Sequence, residues 1–347
     1  MPFGDGALRS GRFVVVFLVC AVLFGCGKGG SSSTPQAQDG LRTVTDMLGR
    51  KVTLPQKVER AVVLLSDAAK IIYSLGAWKN VVGVSRYCYQ EKTLCQLIPN
   101  IKKLPSPGSC FSLNIEKLLA LSPDVVIVWA STSGRSHLLV KQITERGVPV
   151  IVLRCSGLED VYRAVELLGE VFGRRRRAAE IVKQMKRVVA FVCERLKGMK
   201  RKPKVIWLWT EPTRVTGGAG LTNEIIALAG GVNPAAKFAA PYATVSLEQI
   251  IAWNPDAIVI WESARYDKRK ILEDSRWRFV AAVKRGMVRK SRSTGMWCPE
   301  IVLKLLDIAV WLHPDAFKGA ETGKIEQDFL RSIYRSCLLY TSPSPRD

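Results

Sequence analysis

Only two histidines, His137 and His313, stand among 347 residues. Imidazole is the commonest protein ligand for zinc, copper and haem iron, so a histidine-built metal centre is disfavoured and no resident cofactor is expected. Hydrolytic and phosphoryl chemistry fare no better. Gly217-Gly218-Ala219-Gly220 lacks the Lys-Ser/Thr with which a glycine loop cradles phosphates, and neither a G-x-S-x-G elbow nor an H-E-x-x-H helix occurs. Catalysis is therefore not expected. What the chain offers is aromatic groups where strand-like runs end or loops begin: Tyr87, Trp129, Trp209, Trp261 and Trp297, with Tyr242 and the cation Arg86 nearby. Flat rings at loop mouths suit a broad, partly apolar ligand, and a guanidinium suits its carboxylate or chelating oxygens. The competing role is plain packing, because Trp129 and Trp261 close buried strands and Arg86 can be a solvated loop cation.

The elements that position these residues are duplicated. The stretch from Asn114 to Ser131 (NIEKLLALSPDVVIVWAS) aligns with Ser246 to Ser263 (SLEQIIAWNPDAIVIWES), an offset of 132 residues that superposes Glu116 on Glu248 and Trp129 on Trp261. Each copy reads as a capped helix, a Pro-Asp turn and a strand covered on both faces. Ser246 with Gln249 has the capping-box pattern. Helical and strand patterns alternate around both copies, with strands expected at 61–65, 81–84, 148–153, 204–209 and 287–290 and helices at 67–75, 135–146, 221–229, 277–283 and 300–311. The fold class is therefore α/β, two Rossmann-like lobes with mainly parallel sheets. Residues 158–199 keep a helical period broken only near Gly173, and a straight helix over 174–198 would run about 37 Å. One long rigid helix is thus expected to join the lobes, giving a first lobe at 42–157, a linking helix at 158–199 and a second lobe at 200–336.

The ends of the chain carry different information. Residues 13–25 (FVVVFLVCAVLFG) follow Arg9 and Arg12 and are too short to span a bilayer, so 1–25 reads as a signal peptide. Leu23-Phe24-Gly25-Cys26 looks like a bacterial lipobox, which would make Cys26 the lipidated first residue and 26–41 a flexible tether. That places the protein outside the cytoplasm, anchored to the bacterial membrane. Thiols pair in such compartments, but the spacings leave the pairing open; a bridge within the loop-rich trio Cys88, Cys95 and Cys110 is one alternative and free thiols the other, and Cys193, inside a helical pattern, is expected to be a lone buried thiol. Residues 337–347 (CLLYTSPSPRD) resemble translated adapter read-through, so this tail is expected to be non-native. The 52 Lys and Arg against 30 Asp and Glu give a net charge of +22. Export argues against nucleic acid as the partner, which leaves a solvated basic face, an anionic membrane surface or an anionic ligand.

The arrangement resembles the periplasmic binding proteins of the cobalamin and ferric-siderophore type, the receptors of ATP-driven importers. The matching stretches are Thr43 to Pro55 (TVTDMLGRKVTLP), Val81-Val-Gly-Val84, both copies of the repeated unit, Ala229-Gly-Gly-Val-Asn233, and Trp277 with Ala282 to Val288 (AVKRGMV). The resemblance implies a monomeric receptor that captures a metal chelate or corrinoid between its lobes and delivers it to a permease dimer with its ATPase. A ferric siderophore or haem comes first among ligands and cobalamin second. It also implies that Glu116 and Glu248 pair with permease arginines. Their alternative role is local, since a carboxylate in the first turn of a helix gains about 0.3–1 kcal/mol from the helix dipole. A rival from another class is an anchored enzyme or sensor on the same scaffold.

Overall fold

The computed structural model describes residues 40–130 and 135–335; the expected signal peptide, Cys26 and the tail beyond 336 lie outside the described residues. Two separate sheets carry the architecture. The first has four strands in the order Val81–Val84, Ala61–Val63, Val125–Trp129, Val150–Leu153, all parallel. The second has five, in the order Tyr242–Thr244, Arg214–Thr216, Val205–Leu208, Ala257–Ile260, Val288–Lys290. Its last three strands are parallel, whereas the first two join antiparallel as a hairpin-like extension. The sequence pattern anticipates the parallel strands, to within a few residues at their ends. It does not anticipate the antiparallel pair, whose three-residue strands are too short to show a period.

Period-two alternation sorts the strand residues into three cores. Val62, Leu64, Val126, Val128, Val150 and Val152 are buried in a separate core of the first lobe, and Ile206, Leu208, Ile258 and Ile260 in a separate core of the second. Their neighbours Val63, Ile127, Ile151, Trp207 and Val259 all point into a single core that runs through both lobes. That shared core also takes Ile181, Val182, Met185, Val188 and Val192 from the helix Arg175–Arg195 and most of the helix Ile301–Leu312. The lobes are thus two sheets on one continuous apolar body.

The segment 158–199 breaks at Gly173, where its helical period is interrupted in the sequence. It forms the helices Leu158–Val171 and Arg175–Arg195, separated by Gly173 at a φ of 64°, a left-handed conformation that favours glycine. Lys186 Nζ lies 5.0 Å from the Tyr162 ring, so the two helices fold back on each other. Only the second, 21 residues and roughly 32 Å long, passes between the lobes. The C-terminal helix Thr322–Tyr334 returns from the second lobe to the first. Its Tyr334 ring packs edge-on against Tyr73 at 6.0 Å, and Arg177 donates to the carbonyls of Ser332 and Ile333 at 2.6 and 2.8 Å.

The open pairing is resolved, and the expectation for Cys193 is corrected. Cys88, Cys95, Cys110, Cys155, Cys193 and Cys298 are all free thiols. In the trio, Cys95 Sγ lies 3.3 Å from the Tyr89 carbonyl and Cys110 Sγ lies 3.4 Å from that of Leu64, so these thiols are engaged locally. Cys193 is exposed, because the apolar stripe of its helix ends in Val192 and turns the next position to solvent.

Candidate functional site

Each repeated unit folds as its sequence suggests. Asn114 accepts the Lys117 N–H at 2.8 Å to open the helix Ile115–Leu119, and Ser246 Oγ accepts the Gln249 N–H at 3.2 Å to open Leu247–Trp253. After each helix a left-handed residue stands just before the proline, Ser122 at φ 43° and Asn254, itself the helix cap, at φ 46°. The aspartate after it clamps the start of the neighbouring strand. Asp124 Oδ2 accepts the N–H groups of Glu59 and Arg60 at 2.7 and 2.8 Å, and Asp256 Oδ2 accepts that of Lys204 at 2.9 Å. The duplication therefore extends to hydrogen bonds.

Glu116 and Glu248 are both exposed in the first turns of these helices. The Glu248 carboxylate is held below the usual range by its own backbone N–H and by the Ser246 hydroxyl, with Arg276 a smaller contributor. Exposure on both lobes leaves the pair free to meet a partner.

Parallel strands deliver their carboxyl ends to one edge of a sheet, where loops converge on ligands in open α/β folds. In the second lobe this edge brings Trp209 and Trp261 together at 5.3 Å between ring centroids, and Tyr242 meets Trp209 edge-on at 4.7 Å. Trp209 is anchored by its indole N–H, which donates to Thr216 Oγ1 at 2.9 Å, while Tyr242 faces outward under the Arg214 guanidinium, 5.1 Å above its ring. In the first lobe Trp129 stacks on Trp297 from the second, at 4.2 Å and 32°. Arg86 and Tyr87 lie on a short helical turn after Val84, with the guanidinium 5.5 Å from the ring, and both are exposed. The seven candidates thus form three groups: a second-lobe wall, a Trp129–Trp297 stack joining the lobes, and an exposed Arg86–Tyr87 pair that no contact among the described residues ties to the other rings.

Beside the aromatic wall lies a basin of about 550 Å³ lined by Arg265, Arg269, Lys270 and Lys290 against Asp267 and Glu273. Tyr266, also in its lining, donates its hydroxyl to the Trp209 carbonyl at 3.0 Å, so basin and wall share a side chain. Arg269 is forked onto Asp267, and the Lys290 ammonium donates to the Ala264 carbonyl at 2.7 Å.

Sequence reasoning missed a second kind of chemistry at the edges of both sheets, which is charge without solvent. Lys70, in the helix Ser66–Ser74, is wholly buried and pairs with Glu300 at 2.6 Å and Glu91 at 2.9 Å. Burial pulls its pKa down, but Glu300, Cys298, Glu91 and Asp67 together outweigh this and set it well above the usual lysine value. Burial pushes the carboxyl of Asp67 up, with Lys70 opposing. Lys304 is equally buried, on Glu262 at 2.7 Å. The signal was present: each lysine is a lone cation inside an apolar helical run, Ala68-Ala69-Lys70-Ile71-Ile72 and Val302-Leu303-Lys304-Leu305-Leu306.

Known proteins share this architecture. The model of a family described as periplasmic binding protein matches residues 62–293. The molybdate-binding protein MolA of Haemophilus influenzae is 29% identical over 323 residues, spanning 85% of this chain and 91% of that protein. Its molybdate-bound structure has a TM-score of 0.75 at 28% identity, covering 86% of this chain and 99% of that one. The ABC transporter substrate-binding lipoprotein YvrC of Bacillus subtilis is 26% identical over 325 residues, 89% of this chain and 99% of its own. The nickel-bound structure of Helicobacter pylori CeuE shares the fold, with a TM-score of 0.77 at 24% identity, over 85% of this chain and 96% of that one. Among the described residues no helix is long and apolar enough to cross a membrane.

Proposed function

The chain belongs to the periplasmic binding protein family, and from that premise we propose that it captures an anionic metal compound outside the cytoplasm for an ABC importer, held to the membrane by a lipid on Cys26. The observation that carries the receptor role is the exposed pair Glu116 and Glu248, presented by equivalent helices of duplicated units. A permease dimer offers two equivalent surfaces, and two carboxylates related by the duplication can engage both at once. The ligand preference rests on the second lobe. Its aromatic wall of Trp209, Trp261 and Tyr242 favours a flat, partly apolar body, and the adjoining basin carries four cations against two acids. Trp129, Trp297, Arg86 and Tyr87 complete the ligand contacts in this proposal.

That combination suits a ferric siderophore or haem, whose carboxylates or chelating oxygens are negative, ahead of cobalamin, which gains from the wall but little from the basin. A bare oxyanion is the second ligand reading, favoured by the similarity to the molybdate-binding protein. Intrinsic tryptophan quenching, titrated with ferric catecholate, haem, cobalamin and molybdate, ranks them; tightest binding by cobalamin would overturn the anionic preference. The receptor role is tested by Glu116→Ala with Glu248→Ala. Uptake by cells should fall at least tenfold while affinity for the tightest ligand of that panel stays within twofold. Unchanged uptake would favour the anchored enzyme or sensor.

A further inference from the structure

The segment from Ser291 to Glu300 leaves the edge strand of the second sheet and enters the helix Ile301–Leu312. Glu262 and Lys304 tie it to the second lobe. Ser291 Oγ donates to Glu262 Oε2 at 2.6 Å, and the Lys304 ammonium donates to Glu262 Oε1 at 2.7 Å and to the Thr294 carbonyl at 3.2 Å. Asp67 and Lys70 tie the same segment to the first lobe. Asp67 Oδ2 accepts the Trp297 N–H at 3.3 Å, and the Lys70 ammonium donates to Glu300 Oε2 at 2.6 Å. The approach is so close that a Cβ on Gly295 would collide with Asp67 Oδ1 and Cys298 Sγ. Between the two sets of ties, the Trp297 ring lies on Trp129.

We propose that Lys70 and Lys304 are positioning residues that clamp this segment across both lobes and hold Trp297 stacked on Trp129, so that the aromatic floor of the ligand site is preset. The ligand half of this statement rests on the function proposed above; the clamp does not. A buried lysine is satisfied only by partners in fixed places, because an ammonium deprived of water and of carboxylates is strongly unfavourable. Each lysine therefore transmits a definite position to the backbone it holds. Facing Lys70 are Glu91, Glu300, Asp67 and Cys298, and facing Lys304 are Glu262, the Thr294 carbonyl, Met296 Sδ at 3.3 Å and the Trp207 ring at 5.9 Å. Both lobes contribute to one small segment, and recognition then proceeds on a standing surface with little lobe movement.

The test needs no ligand. In the full chain, the stacked indoles should give an exciton couplet in circular dichroism, assigned by its loss in Trp129→Phe. Lys70→Met and Lys304→Met should each abolish that couplet and speed amide hydrogen exchange across 291–300 at least tenfold. Leu118→Ala, a cavity in the separate core of the first lobe, serves as the control for destabilisation alone: its unfolding midpoint should drop while couplet and exchange in 291–300 stay unchanged. A folded Lys70→Met or Lys304→Met variant that keeps the couplet and native exchange overturns the clamp. If neither lysine variant folds, Ser291→Ala decides: accelerated exchange in the segment supports the clamp and unaltered exchange rejects it. Because no ligand enters these measurements, a negative titration panel would count against the function alone.

Discussion

The two lobes start from the same repeated unit and differ in the element that follows the neighbouring strand at their carboxyl edges. In the first, the strand Ala61–Val63 runs into the helix Ser66–Ser74, which carries Asp67 and Lys70 into the interior. In the second, the strand Val205–Leu208 turns back through Arg214–Thr216, and the edge is taken by Trp209 with Tyr242 and Trp261. The unit itself is unchanged: cap, left-handed residue, proline, clamping aspartate, strand. Each edge has a tryptophan after the unit and a buried lysine pair, Lys70 with Glu300 and Lys304 with Glu262. The element that succeeds the neighbouring strand adds Asp67 and Lys70 from a helix in the first lobe and the Trp209–Tyr242 contact beside a hairpin in the second. The repeated unit gives both lobes the same frame, and the connection after the neighbouring strand is where they differ.

The largest way to break this comparison is to remove charge from the first edge. Lys70→Met leaves Glu300 and Glu91 without their buried cation, and breaking such a pair from one side costs about 3–5 kcal/mol. Urea unfolding should show that loss, whereas Trp261→Phe at the second edge, which keeps most of the apolar contact, should cost about 1 kcal/mol. Equal losses would mean that the edges do not differ as described. A smaller effect separates the clamping aspartates. Asp124→Ala deletes two hydrogen bonds to backbone N–H groups and should cost about 2 kcal/mol, against about 1 kcal/mol for Asp256→Ala, which deletes one. The Arg285 partner of Asp256 adds little, being a surface pair.

Proton linkage sharpens the same contrast. Burial raises the Asp67 pKa in the folded protein. The contribution of this group is therefore fully present below the unfolded carboxyl value near 3.8 and is lost as pH rises through the folded value. Stability of the native chain relative to Asp67→Asn should accordingly rise as pH falls, read as the difference between their unfolding midpoints across an acidic series. A flat difference would place Asp67 in contact with water.

Much of the frame was legible because it depends on local pattern. Asn114 and Ser246 announce helix starts, the prolines end the helices, and four apolar residues after each aspartate mark strands buried on both faces. The aromatic positions at strand ends emerge from the same reasoning. The rest depends on contacts distant in sequence. Lys70 meets Glu300 across 230 residues, and nothing in either neighbourhood names the other. Only the oddity of a cation within an apolar run hints that a partner exists. The thiol pairing stayed open for a related reason: proximity of Cys88, Cys95 and Cys110 along the chain says little about whether their sulfurs face each other. The antiparallel strands Arg214–Thr216 and Tyr242–Thr244 were hidden by their brevity.

The smallest effect distinguishes the two units where they look most alike. Ser122 and Asn254 occupy the same left-handed position, with φ of 43° and 46°. A side chain pays for that conformation and glycine does not, so Ser122→Gly should stabilise by about 0.5–1 kcal/mol. Asparagine tolerates the left-handed region better, so relief at 254 is smaller. Its side chain also has a task, since Asn254 Oδ1 accepts the Ala281 N–H at 2.8 Å, a bond glycine would delete at a cost of about 1 kcal/mol. Asn254→Gly should therefore destabilise while Ser122→Gly stabilises, with opposite shifts in thermal midpoint. Shifts of the same sign would show that the bond to Ala281 contributes nothing. The two turns would then be equivalent, and the second lobe's added tie between its repeated unit and the helix Ala281–Lys284 would have no energetic content.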